Sequence, residues 1–243
     1  MGNVVYNWIK PEMPQADVII PVFNEADILM SFYRRICALN LDLNLIFIDN
    51  ASTDNSLKII ESFANVSLIR HQTNEGYGSS LIDGMKYGCS DNIIIIDADC
   101  EYPPEAIPTI LTELKEHDLV YTSRLLHRRS ASESNMPYLK VLGNKVITTL
   151  FNLLFHQHTT DLYTGCKGFK RSCIDGLNFQ YMGFEHVLEF ACKLSHRGYQ
   201  IVDIPVSFEP RITGHSKMSH LSETTKFIFL LMFFATMRKK LTN

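Results

Sequence analysis

Two carboxylates stand at alternate positions where an apolar run ends, in Ile93-Ile94-Ile95-Ile96-Asp97-Ala98-Asp99-Cys100-Glu101. In extended chain, alternate side chains point the same way, so Asp97 and Asp99 are expected to share one side. Two such anions repel unless a cation lies between them, and hard oxygen donors suit Mg²⁺ or Mn²⁺. A nucleoside diphosphate would complete the coordination, and the metal would neutralise the diphosphate as it leaves. A D-x-D pair on its own says little, because acidic turns are common.

A second group carries the opposite charge. Arg124 follows Thr122-Ser123, and Arg211, Ser216 and Lys217 lie in Arg211-Ile212-Thr213-Gly214-His215-Ser216-Lys217. A reaction that joins a diphosphate donor to a phosphate acceptor crowds negative charge into one cleft, and cations must offset it. Arg can grip a phosphate through two parallel hydrogen bonds, and Lys supplies a point charge on a flexible stem. Gly214 lets the loop come close, and Ser216 can donate a hydrogen bond. A phosphate acceptor, with a second pKa of about 6, is already anionic near neutrality and needs no strong base. A hydroxyl acceptor needs one. Glu185, His186 and Glu189 are the candidates, although charged residues on a helix face serve structure equally well. Gly76-Tyr77-Gly78 lacks the third glycine of a dinucleotide fingerprint and follows the third strand rather than the first.

The elements that must position these groups are legible as alternating patterns. Strand-length apolar runs at 17–23, 45–48, 66–69, 92–96, 119–122 and 200–208 alternate with helical patterns at 26–39, 54–64, 76–88 and 105–115. Continuous apolar runs suit strands covered on both faces, and the alternation predicts an α/β domain with a mainly parallel central sheet flanked by helices. Ligands bind such sheets at the carboxyl ends of the strands. Asn24-Glu25, Asp49-Asn50, Asn74-Glu75 and Asp97-Ala98-Asp99 each follow a strand and so should share one rim. The same residue types suit turns and helix caps, Ser52 and Asp54 in particular.

The polar stretch 126–135, with His127, Arg128 and Arg129, reads as a mobile surface loop. It leads into a helix at 137–155 with Leu139, Leu142, Val146, Leu150 and Leu154 on one face and Lys140, Asn144, Lys145 and Thr148 away from it. The apolar segment Phe227–Met237 is followed by Arg238, Lys239 and Lys240. Its eleven residues fall short of the about 20 that cross a bilayer. It reads as an interfacial helix, a helix packed on the domain or on a partner, or the remnant of a longer anchor.

A formal charge of -3 argues against nucleic acid as a partner. The six cysteines form no C-x-x-C pair, and the chain opens without a charged region followed by an apolar core, which reads as a reducing, cytosol-facing protein. One catalytic domain over 1–218 and an apolar helix over 219–243 are expected.

In their order, Ile20-Pro21-Val22-Phe23-Asn24-Glu25, Ile48-Asp49-Asn50-Ala51-Ser52-Thr53-Asp54, Asn74-Glu75-Gly76-Tyr77-Gly78 and Asp97-Ala98-Asp99 resemble the family-2 glycosyltransferases, whose nucleotide-sugar-binding fold is called GT-A. Asp99-Cys100-Glu101-Tyr102-Pro103-Pro104-Glu105, Thr122-Ser123-Arg124 and the segment 211–217 are similar to the polyprenyl-phosphate sugar synthases within it. The resemblance implies a nucleotide sugar held by Pro21, Phe23, Glu25, Asp49, Asn74, Gly76, Asp97 and Ala98. It implies a metal on Asp97, Asp99 and Glu101, where the group usually has Gln at the last position. It places the acceptor phosphate at Arg124, Thr164, Lys167 and Ser216, with Asp99, Arg124, Arg211 and Lys217 in catalysis. A metal-dependent, inverting transfer of a hexose from a GDP- or UDP-sugar to a polyprenyl phosphate, at the cytoplasmic face of a membrane, is then expected. A glycan hydroxyl as acceptor, or a non-catalytic nucleotide-sugar-binding subunit, are the rivals. A membrane subunit or a second copy of the chain are further partners to consider. Asn50 and Ala51 depart from the family's more usual Asp-Gly, which bears on the base contacts.

Overall fold

The computed structural model describes residues 4–6, 13–126, 138–207 and 220–237. Strands β1 (Val4–Tyr6), β2 (Ala16–Val22), β3 (Leu43–Asp49), β4 (Val66–Arg70), β5 (Asn92–Ile96), β6 (Leu119–Ser123), β7 (Cys166–Lys170) and β8 (Val202–Pro205) form one sheet in the order β1-β4-β3-β2-β5-β7-β6-β8. Pairing is parallel at β2–β3, β3–β4, β2–β5 and β6–β8, and antiparallel at β1–β4, β5–β7 and β6–β7. Only β1 and β7 therefore oppose the common direction, and the mainly parallel α/β sheet expected from the sequence is the one observed.

Helices α1 (Ala26–Ala38), α2 (Ser56–Glu61) and α4 (Ile107–Glu113) cover one face, and α3 (Tyr77–Tyr87), α5 (Tyr138–Phe155), α6 (His186–His196) and α7 (His220–Met237) cover the other. The two core clusters divide each strand by alternation. Ile93 and Ile95 join one, and Ile94 and Ile96 the other.

The reversal at β7 matters most for chemistry. Ile96 at the carboxyl end of β5 pairs with Cys166 at the start of β7. Residues 161–165 therefore arrive at the rim where Asp97 and Asp99 leave β5. Pro205 of β8 pairs with Ser123 of β6, so the chain leaves the sheet beside Arg124 before the segment 208–219, which lies outside the described residues. Most of the expected surface loop at 126–135 lies outside them as well.

Helix α5 turns inward side chains that lie outside the apolar stripe read in the sequence. Its buried face carries Val141, Asn144, Ile147, Thr148, Phe151 and Phe155, whereas Leu142, Val146 and Leu153 are exposed. The helix is apolar nearly all round, so an apolar stripe could not by itself say which face turns inward. Phe227, Leu230, Leu231 and Phe234 of α7 join the same core as α5 and α6, while Phe229, Met232 and Phe233 are exposed. Among the described residues, no helix is long and apolar enough to cross a membrane.

These two faces of α5 should separate by stability. Phe151→Ala is expected to cost about 3–5 kcal/mol by opening a cavity, and Leu153→Ser, at an exposed position, no more than about 0.5 kcal/mol. Urea unfolding of the two variants checks the assignment, and equal losses would reverse it.

Candidate active site

Asp97 is built into the end of the sheet. Its backbone N–H donates to the Gly165 carbonyl at 3.0 Å, and Tyr77 at the start of α3 donates its hydroxyl to Asp97 Oδ1 at 2.9 Å. A Cβ on Gly165 would lie 2.2 Å from Asp97 Oδ2, so only glycine leaves room for the carboxylate. Beyond Ile96 the backbone is no longer extended. It turns at 98–99, and Cys100 has a φ of 57°. The expected extended-chain alignment of Asp97 and Asp99 is thus replaced by a turn, in which Asp99 Oδ1 accepts the Glu101 N–H at 2.9 Å.

The two carboxylates still sense one another. Burial, and after it the charge of Asp99, pushes the Asp97 pKa up to about 7, against the Tyr77 hydrogen bond and the charge of Lys167. A carboxylate held this way is ionised comfortably only when more positive charge arrives. The donor set of Asp97 and Asp99 fits a hard divalent cation for that reason.

Glu101 does not complete a triad of ligands. Its Oε2 lies 4.0 Å from Arg124 Nη1, and no three oxygens of Asp97, Asp99 and Glu101 come within 4.8 Å of one another. The nearby guanidinium competes for this side chain. Among the described residues, the group that does meet that spacing is His71, Glu75 and Asp83. It lies beside Asn50 and the end of β4, with His71 Nε2 3.2 Å from Asp83 Oδ2.

Arg124 is buried, and its fork is occupied. Nε lies 2.6 Å from Asp161 Oδ2, Nη2 lies 2.9 Å from Asp161 Oδ1, and the guanidinium sits 5.0 Å from the centre of the Tyr102 ring. Burial opposes its charge, but Asp161 more than compensates. Burial would likewise raise the Asp161 pKa, but Arg124 holds it below the usual carboxylate range. The two-pronged grip expected on a phosphate is made on Asp161 instead, which leaves Nη1 as the edge nearest Glu101.

Thr164 and Lys167 do not reach an acceptor. Both are 1% exposed. The Thr164 hydroxyl meets Thr122 Oγ1 at 2.7 Å and the Cys166 carbonyl at 3.0 Å. The alternation of β7 sends Lys167 into the core, where its ammonium lies 4.9 Å from the Tyr121 ring and 5.7 Å from that of Phe190, and burial pulls its pKa down to about 8. Arg211, Ser216 and Lys217 lie outside the described residues.

Of the residues expected to hold a nucleotide, Pro21, Phe23 and Glu25 are half-buried at the end of β2, and Asp49 is buried at the end of β3 with Oδ1 accepting the Ser52 N–H at 3.3 Å. Asn24 Oδ1 accepts from Thr53 N at 2.7 Å, while Ser52 Oγ and Ser56 Oγ accept from Asn24 N and Glu25 N at 3.0 and 2.9 Å. Asp54 accepts from Ser56 N and Ala26 N. Ser52 and Asp54 therefore stitch two strand ends together, and α2 starts later than expected, at Ser56. Ala98 is buried in the core and Asn74 is exposed.

The Asn50 amide is engaged by the segment 71–75. Its Oδ1 accepts from Glu75 N at 2.8 Å and meets His71 Nδ1 at 2.9 Å, and its Nδ2 donates to Asn74 Oδ1 at 3.0 Å. Gly76 has a φ of 95°, and a Cβ there would lie 2.3 Å from the Met182 carbonyl, so this glycine serves close packing of the loop at 181–183.

The base candidates fare differently. Glu189 is fully buried and accepts from Gln180 N, Tyr181 N and Lys193 Nζ. His186 is buried, neither ring nitrogen has a hydrogen-bond partner among the described residues, and burial pushes its pKa down to about 3. Glu185 pairs with Lys226 of α7. Tyr77, Asp161 and Gly165 shape the site, yet the sequence marks Tyr77 only within a glycine motif and singles out neither Asp161 nor Gly165.

The raised Asp97 pKa fixes a pH signature. Without a divalent cation the folded state holds a proton on Asp97 that the unfolded chain releases near pH 4, so the contribution of Asp97 to stability falls as pH rises from about 4 to about 7. The buried His186 titrates with the opposite sign in both proteins, so the signature is a difference: the melting temperature of Asp97→Asn in chelator should rise relative to wild type across this window. A wild-type profile that matches the variant's would rule the arrangement out.

The pattern of glycosyl transferase family 2 matches residues 17–177. Over 228 residues the chain is 25% identical to a dolichol-phosphate mannosyltransferase of Pyrococcus furiosus, a match that covers 90% of this chain and 64% of that relative. The chain thus spans just under two thirds of the relative's length. Among solved structures, glucosyl-3-phosphoglycerate synthase from Mycobacterium tuberculosis, in complex with Mn²⁺, UDP-glucose and phosphoglyceric acid, superposes with a TM-score of 0.66 at 18% identity, covering 92% of this chain and 80% of that one. A mannosyltransferase from Pyrobaculum calidifontis, in complex with GDP-mannose and Mn²⁺, gives 0.64 at 16% identity, covering 93% and 65%. Such identities speak for the fold, and the match to the family covers well over half of the sequence. The chain belongs to glycosyl transferase family 2 and has the GT-A type fold.

Proposed function

We propose that this chain transfers a hexose from a GDP- or UDP-sugar to a polyprenyl phosphate, with inversion at the anomeric carbon, while resting on the cytoplasmic face of a membrane. The observation that carries the reading is the meeting of opposite charges on one rim: Asp97 and Asp99 leave β5 where Arg124 leaves β6, with Glu101 and Arg124 only 4.0 Å apart. The apolar faces of α5 and α7 add a surface suited to lipid, with Phe229 77% and Leu153 71% exposed. The similarity to a dolichol-phosphate mannosyltransferase supports the same acceptor.

In this mechanism Asp97 and Asp99 hold Mg²⁺ or Mn²⁺, which when bound offsets the charge of the departing nucleoside diphosphate. Tyr77 and Gly165 fix where Asp97 can place its oxygens. Asp49, with Pro21, Phe23 and Glu25, lines the end of the sheet at which base and ribose dock. Arg124, joined by Arg211, Ser216 and Lys217, gathers the phosphates so that an ionised phosphate oxygen meets the anomeric carbon opposite the leaving oxygen. The acceptor arrives ionised, so no base is required. That agrees with a Glu189 whose oxygens already serve the fold.

The test incubates the purified protein with radiolabelled nucleotide sugars, a polyprenyl phosphate and Mn²⁺ or Mg²⁺, and counts label in the organic extract. Transfer should vanish in chelator, and Asp97→Asn and Asp99→Asn should each fall by about 100-fold or more, as expected when several kcal/mol of charge stabilisation are lost. If no donor labels the lipid while a soluble glycan is labelled, the acceptor assignment is wrong.

A further inference from the structure

We propose that Asp161 and Asn144 are positioning residues for Arg124, fixing which edge of its guanidinium faces the acidic rim. This rests on the reading of Arg124 as a phosphate-facing group.

Asp161 is fully buried and accepts four hydrogen bonds. Oδ2 takes the Arg124 backbone N–H at 3.2 Å and Nε at 2.6 Å, and Oδ1 takes Arg124 Nη2 at 2.9 Å and Asn144 Nδ2 at 2.6 Å. A carboxylate so occupied has no lone pair to spare for a proton or a substrate. Its role is to hold. Asn144 is itself held, because Thr148 donates to its Oδ1 at 2.9 Å and the Thr148 hydroxyl accepts the Leu162 N–H at 3.3 Å. The amide can therefore present only Nδ2 to Asp161.

Asn144 and Thr148 sit on the buried face of α5 among Val141, Ile147, Phe151 and Phe155, where apolar residues would pack as well. Their hydrogen bonds converge on the 161–162 turn and so on one guanidinium. A buried Arg–Asp pair adds little net stability once desolvation is counted, whereas it does fix geometry. With Nε and Nη2 tied to Asp161 and the Tyr102 ring against one plane, rotation of the guanidinium is blocked and Nη1 stays 4.0 Å from Glu101. Misorientation of such a donor weakens a transition state more than it weakens donor binding.

The experiment is a double-mutant cycle on the whole protein with a nucleotide sugar, polyprenyl phosphate and Mn²⁺. Asn144→Leu keeps the shape and removes the donor; Asp161→Asn removes the charge. We expect kcat to fall about 10-fold and about 100-fold respectively, with KM for the nucleotide sugar and the Mn²⁺-dependent thermal shift by nucleoside diphosphate within about twofold of wild type. In an Arg124→Lys background, which cannot form the fork, both substitutions should cost nothing further. Losses that persist in the Lys background, or a KM and thermal shift that move together with kcat, would show a merely structural role and overturn the proposal. Should Asp161→Asn fail to fold, Asn144→Leu carries the cycle alone. If wild-type protein labels no lipid, the acceptor reading falls instead, and the same cycle is read on metal-dependent hydrolysis of the nucleotide sugar.

Discussion

The need to place one carboxylate at the mouth of a hydrophobic sheet organises much of this molecule. Asp97 follows four isoleucines that are essentially unexposed, and an anion there must be compensated by geometry or by charge. Geometry supplies part. Tyr77 donates to it, Gly165 omits a side chain so that it fits, and the backbone on either side of the gap is hydrogen-bonded. Each device makes a demand elsewhere. For Gly165 to stand there, β7 must begin at this rim and run against its neighbours. For Tyr77 to reach it, the start of α3 must lie against the loop at 181–183, which Gly76 and Gly78 allow by leaving room for backbone carbonyls. The residual charge is left for a cation to neutralise.

The remaining buried charges are managed in contrasting ways. Asp17 is fully buried and bound by Asn44, Ser90 and Arg171, which anchors the opposite end of β2. Glu189 ties the loop before α6 through backbone N–H groups and Lys193. Arg124 and Asp161 neutralise each other at the rim. Lys167 differs from these in facing aromatic rings, and the shift of its pKa to about 8 records how far burial disfavours its charge. Where a charge is fully spent on backbone or on a partner, as at Asp17 and Glu189, it belongs to the fold; Arg124 still turns Nη1 toward Glu101, and at Asp97 compensation is incomplete, so chemistry has room to act there.

Much of the frame was legible in the sequence, because two-sided strands leave continuous apolar runs and the polar residues that end them mark the rim. Strand β7 was not. Cys166-Lys167-Gly168-Phe169-Lys170 shows neither an apolar run nor clean alternation, since Gly168 packs against Ile110 and Lys167 lies inside the core. The same blindness misassigned Thr164 and Lys167 to an acceptor: a polar side chain looks available until its buried partner is known. Glu101 is placed on a metal by the family resemblance alone, and the cation 4.0 Å from it, Arg124, is remote in sequence. Asn50, which stands where the family more usually has Asp, is equally opaque to local reading, because its partners His71, Asn74 and Glu75 are more than twenty positions away.

Helix α5 joins these themes. A helix that packed only to fill a core would have one apolar face and one polar face. Here the inward face admits Asn144 and Thr148, and the outward face keeps Leu142 and Val146 exposed at 44% and 48%. The inward polar residues are explained by the Asp161–Arg124 pair that they complete. The outward apolar ones have no counterpart inside the described fold, and they recur on α7, which packs beside α5 and exposes Phe229, Met232 and Phe233. Surface hydrophobes scattered singly are ordinary, but two adjacent helices that both turn aromatic and aliphatic side chains outward offer surface suited to an apolar partner such as lipid. With the proposed acceptor, the polar demand on one side of α5 and the apolar demand on the other would arise from one substrate, its phosphate directed to Arg124 and its chain kept in hydrocarbon.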